Sequence, residues 1–70
     1  MYDYNKLRGR IVEKYGSAQK FSEAIGLSNV TISRKLMGLS EFSQSDIEKW
    51  SQFLEINSKD YASFYFTRKV

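Results

Sequence analysis

Residues 18–37 read AQKFSEAIGLSNVTISRKLM, and the spacing within this run is that of two short helices meeting at a tight turn. Ser17 is placed to cap a helix over 18–25, because its hydroxyl can accept a hydrogen bond from one of the unpaired amides of the first turn. Phe21, Ala24 and Ile25 form the inward face, and Gly26 ends the helix in a left-handed turn that would cost a residue with a Cβ about 1 kcal/mol or more. Ser22, just before that turn, is small enough to let the next helix approach. Leu27 fills the gap between the two helices. Ser28 then caps a third helix over about 29–37, with Ile32 and Leu36 inward and Gly38 closing it. The whole is the pattern of a helix-turn-helix over about residues 17–38.

Helical geometry also names the exposed face. At about 100° per residue, Asn29, Val30, Ser33, Arg34 and Met37 cover an arc of about 140° to one side of Ile32 and Leu36. Its chemistry suits base edges in a major groove: Arg34 for guanine, Asn29 for adenine, Val30 for the thymine methyl, with Ser28 and Ser33 as further hydrogen-bonding groups. Phosphate contacts are expected at the start of the second helix, from Ser17 and Gln19, with Lys20, Arg10 and Lys35 adding charge. Lys6 is a further basic residue placed to help.

Outside this motif, Asp3 can cap a first helix in which Tyr4, Leu7, Ile11 and Tyr15 form one apolar stripe ending at Gly16, with Arg8 and Arg10 off the stripe. Ser43 and Asp46 stand three apart, as in a capping box, ahead of a fourth amphipathic helix over about 44–55 that carries Ile47, Trp50, Phe53 and Leu54. Phe42, Trp50, Phe53 and Tyr61 are read as core aromatics, since a chain this short needs large side chains inside. Ser58 can cap one further turn. The tail FYFTRKV is dense in aromatic and β-branched residues and favours extended structure.

The 70 residues make one domain, 1–70, and a domain of this size buries only about 60% of the surface its unfolded chain exposes. The chain has no cysteine and no histidine, so disulfides and the softer metal ligands are absent, no cofactor or metal is expected, and an enzyme is not expected either. A partner subunit is the remaining support for a thin core. Residues 61–70 are read as a dimerisation tail, with Tyr61, Phe64 and Phe66 in contact with a second copy. The alternative folds that tail back over its own domain. No apolar run has the length of a signal peptide or a membrane span, which points to a soluble, cytoplasmic protein. The net charge of +3 is uneven: residues 1–40 hold seven bases against three acids, and residues 41–70 four bases against five acids. A basic first half suits a polyanionic partner.

The stretches YDYNKLRGRIVEKYGS, FSEAIGLSNVTISRKLMG and FSQSDIEKWSQFLEI together resemble the phage Cro and repressor proteins of the lambda-repressor-like class. That resemblance implies an all-α fold of four or five short helices around one core, with the reading helix at 28–37 and a fourth helix at 44–55; the short extended C-terminal tail is read from the composition of FYFTRKV alone. It also implies a homodimer on a double-stranded DNA operator of two inverted half-sites; the short chain leaves no room for a ligand-sensing module, so no small-molecule ligand is expected, and without a long apolar run no membrane is expected. Two positions depart from the family pattern. Ala18 stands where many members open the second helix with a phosphate-binding glutamine, Gln19 following it. Leu36 stands where many carry a glutamate that pairs with a first-helix arginine, which leaves Arg10 without that partner. Two functions follow as expectations. One is a transcriptional repressor that occupies an operator; the other is a protein-binding modulator or antirepressor that uses the same fold to mask another regulator.

Overall fold

Five α-helices and one 3-10 turn follow each other along the chain in the computed structural model, which describes residues 2–68. They are α1 (Asn5–Tyr15), α2 (Ala18–Ile25), α3 (Asn29–Leu36), α4 (Gln44–Leu54), a 3-10 turn (Ser58–Asp60) and α5 (Tyr61–Tyr65). Leu7 and Ile11 of α1, Phe21 and Ile25 of α2, Ile32 and Leu36 of α3, and Ile47, Trp50 and Leu54 of α4 meet in one core. Tyr4, Tyr15, Leu27, Phe42, Phe53 and Tyr61 pack around it, half-buried. The apolar spacing of three and four residues in each helix is what makes these faces converge. Ala24 departs from the expected inward face of α2: it is exposed, and Ser22 takes the buried place, its hydroxyl donating to the Gln19 carbonyl at 2.6 Å.

The helix starts follow local chemistry. Ser17, Ser28 and Ser43 each accept a hydrogen bond from the amide three residues on, and Asp46 completes the capping box by accepting from the Ser43 amide at 3.0 Å. Asp3 sits one residue outside the α1 cap position, with Oδ1 accepting from the Asn5 amide at 2.8 Å. Asn57, rather than Ser58, caps the 3-10 turn.

The tail differs from its expected extended form. Residues 61–65 are helical, and Phe64 and Tyr65 lie in the core at 4% and 1% exposure. The Tyr65 hydroxyl is 2.9 Å from the Ser51 hydroxyl of α4, and burial pushes its pKa up to about 12. Docking against α1 and α4 thus outweighs the β preference of FYF, which is a weak and context-dependent bias. Extended backbone returns only after α5: the Asp3 amide donates to the Thr67 carbonyl at 2.7 Å, and Tyr2 and Arg68 form one antiparallel bridge. Residues 69 and 70 of the expected dimerisation tail lie outside the described residues.

One ionic contact holds α3 on α4. Lys35 Nζ donates to Asp46 Oδ2 at 2.8 Å and to the Glu41 carbonyl at 3.0 Å, and lies 5.5 Å from the centre of the Phe42 ring. Partial burial raises the Asp46 pKa, but the hydrogen bonds from Lys35 and Ser43 and the Lys35 charge outweigh it and hold the carboxyl below its ordinary 3.8. A depressed carboxylate stabilises the fold above its unfolded pKa, and this contribution disappears as pH falls through the folded value. Asp46→Asn is therefore expected to cost about 1 kcal/mol at neutral pH. The gap in melting temperature between wild type and variant, followed by circular dichroism, should close as pH falls from about 4 toward 2.

Candidate interaction surface on the helix-turn-helix

The turn between α2 and α3 is built by Gly26, whose φ of 80° is left-handed, and the amides of Gly26 and Leu27 both donate to the Ser22 carbonyl, at 3.0 and 3.1 Å. With the hydroxyl of Ser28 on the Thr31 amide at 3.1 Å, α3 begins in a fixed direction. Arg8 fixes its other end. The Arg8 guanidinium donates to the Leu36 carbonyl at 2.9 Å, satisfying one of the free acceptors at the α3 C-terminus. Spacing could not reveal this bond, because the partner is a backbone atom 28 residues away.

Held at both ends, α3 presents Asn29, Val30, Arg34 and Met37 to solvent, while Ser33 is half-buried. Val30 and Met37 are 67% and 53% exposed, and Leu39, just beyond the helix, is 59% exposed. Ser28 is exposed, but its hydroxyl is shared between the Thr31 amide and the Thr31 hydroxyl. Arg34 makes no ion pair among the described residues.

The residues expected at phosphates separate into two groups. Gln19 and Lys20 are exposed in the first turn of α2, and Ser17 is half-buried with its hydroxyl engaged as the α2 cap. Arg10 and Lys35 are committed elsewhere. Arg10 pairs with Glu13 at 3.2 Å and lies over the Phe64 ring at 5.4 Å, on the side of α1 that faces α5. Lys35 is drawn under Phe42 to Asp46, with its side chain only 12% exposed. Arg10, without a third-helix glutamate, pairs within α1 instead, and Arg8 is the first-helix arginine that reaches α3. Lys6, also read as basic support, donates to Ser63 at 3.1 Å and sits 4.7 Å above the Phe64 ring.

The expected dimer contact is rearranged in the same way. Phe64 is buried in the chain's own core, so it is not available to a second copy; Tyr61 is half-buried against Tyr65; Phe66 remains 48% exposed. Among the described residues no group of carboxylates could hold a metal ion, and no helix is long and apolar enough to cross a membrane.

Helix order, core and the exposed face of α3 define a small all-helical fold with a helix-turn-helix turned to solvent. The chain belongs to the family described as protein of unknown function DUF739, which matches residues 1–68. It is also similar, at 38% identity and with a TM-score of 0.80, to the solution structure of the modulator of repression (MOR) of the temperate bacteriophage TP901-1 from Lactococcus lactis, over 99% of this chain and 93% of that one. No curated protein matches it.

Proposed function

We propose that this chain is a modulator of repression in a temperate-phage switch, which docks its helix-turn-helix face onto a second regulatory protein and masks the surface by which that protein reads DNA. The similarity to MOR supports the role. The observation that carries the mechanism is the character of the α3 stripe: Val30, Met37 and Leu39 are more than half exposed around Arg34, a cation with no ion pair among the described residues. Large apolar side chains left in water are stabilised by a protein surface, at about 25 cal/mol for each Å² removed from solvent. A DNA backbone instead rewards several free cations along one track. Here Lys35 and Arg10 are engaged within the fold, which leaves Arg34 as the exposed cation on the α3 face and Lys20 as an exposed cation on α2.

The test is a gel-shift with the repressor of the same phage on its operator. Adding this chain is expected to release or remodel the repressor–operator complex, while the chain alone leaves the operator unshifted.

Direct operator reading is the second possibility, favoured by a specific feature: no acidic residue lies between Glu23 and Glu41, and Asn29, Val30 and Arg34 share one exposed face. It requires the chain alone to bind the operator, with log affinity falling linearly with log salt.

A further inference from the structure

Tyr2 and Tyr4 before α1, and Tyr65 and Phe66 at the close of α5, meet the loop that follows α3, and there they line a groove of about 290 Å³ with Glu41, Phe42, Gly38 and Ser40. We propose that this groove is an acceptor site for a cationic side chain, an arginine above all, presented by the protein partner. Five aromatic rings with one carboxylate at the rim form the chemistry that recognises a guanidinium: the ring faces carry negative potential, and the carboxylate supplies the charge and two hydrogen-bond acceptors.

Four features of the groove support that occupant. Its rings are pre-set by edge-to-face contacts, Tyr2 on Phe66 at 5.9 Å, Tyr4 on Phe42 at 5.3 Å and Phe42 on Tyr65 at 5.3 Å, so little ordering remains to be done on binding. Tyr2 and Phe66 are nevertheless 42% and 48% exposed. The Glu41 carboxylate makes no hydrogen bond or ion pair among the described residues: Lys35 reaches Asp46 and only the backbone carbonyl of Glu41, and Arg8 donates to the Leu36 carbonyl. Finally, Phe42 already accepts a cation, since Lys35 Nζ lies 5.5 Å from its centre. The Tyr4 hydroxyl registers the same environment: its pKa is raised first by burial, then by Tyr2 and the negative charge of Glu41.

The groove is continuous with the α3 stripe, because the neighbouring crevice is lined by Tyr2 and Tyr4 on one side and by Arg8, Leu36 and Met37 on the other. A partner lying on Met37 and Leu39 can therefore place a side chain in it. A duplex is the wrong occupant, since phosphates would meet an unpaired carboxylate. A regulator that reads guanine does so most often with arginine, so masking it calls for this kind of receptor. The identity of the partner rests on the modulator reading; the chemistry of the groove does not.

The experiment is an amide-resolved NMR titration of the full chain with three short peptides, acetyl-Gly-Arg-Gly-amide and its lysine and citrulline counterparts. Saturable shifts at Tyr2, Tyr4, Glu41, Phe42 and Phe66 are expected with arginine, weaker ones with lysine and none with citrulline. Glu41→Gln, whose side chain supports nothing else in the fold, should melt with the wild type and bind the arginine peptide about fivefold more weakly. Equal shifts with citrulline, or an unchanged affinity in Glu41→Gln, overturn the proposal. So does a wild-type dimer in sedimentation that Glu41→Gln abolishes, for that would make a second copy the occupant. A failed peptide titration beside an intact effect on the repressor–operator complex removes the groove and leaves the modulator reading standing; the reverse pair of results does the opposite.

Discussion

Replacing Trp50 by alanine is expected to remove most of the stability of this protein. The indole is fully buried, and it packs edge-to-face on Phe21 of α2 at 5.1 Å and on Phe42 of the α3–α4 loop at 4.8 Å. Truncating such a side chain costs about 3 to 5 kcal/mol, because the lost transfer energy is joined by the cavity left behind. A chain of 70 residues has about 4 to 10 kcal/mol to lose. Trp50→Phe should be far milder, about 1 to 2 kcal/mol, since it keeps the ring contacts and removes an indole N–H that has no partner in the core. Val12→Ala, at a site 58% exposed on α1, should change stability by less than about 0.5 kcal/mol. Urea unfolding followed by circular dichroism ranks the three, and a Trp50→Ala protein within about 1 kcal/mol of wild type would contradict this account of the core.

Arg34→Ala and Met37→Asp are expected to weaken partner binding about thirtyfold or more without disturbing the fold. Both side chains stand in solvent on the stripe that begins at Val30, and neither contributes to the buried cluster. Central residues of a docking face cost about 2 kcal/mol or more when truncated, roughly a thirtyfold loss of affinity. The aspartate adds the desolvation of a charge within an apolar contact. Lys35→Ala makes the internal control. It is adjacent to Arg34 in sequence, but it ties α3 to Asp46, so its loss should appear in the melting temperature and little in the affinity of the folded protein. Titration calorimetry of the three variants against the phage repressor separates these outcomes.

How much of this was legible in the sequence depends on how local each cause is. Ser17, Gly26, Ser28 and Ser43 act on backbone within three or four residues, so α2, the turn, α3 and the start of α4 could be placed from spacing alone. Lys35 and Arg34 are alike as letters; the difference between a cross-helix tie and a free charge lies in Asp46, on another helix. The helical form of residues 61–65 depends on Ser51 and on the core that receives Phe64 and Tyr65, so a propensity for extended structure pointed the wrong way. Arg10 was drawn off the expected phosphate surface by Phe64, which only the docking of α5 brings near. The groove beside Glu41 was least legible, because it joins Tyr2 and Tyr4 at one end of the chain to Tyr65 and Phe66 at the other.

The central claim is that the outward stripe of α3 receives a protein. An amide-resolved NMR titration of the isotopically labelled chain with the unlabelled phage repressor, in the absence of DNA, tests it most directly. Resonances of Val30, Ser33, Arg34, Met37 and Leu39 are expected to shift or broaden first. Shifts confined to the α1–α5 side around Arg10 and Phe64, or a stripe that responds only when operator duplex is added, would contradict it.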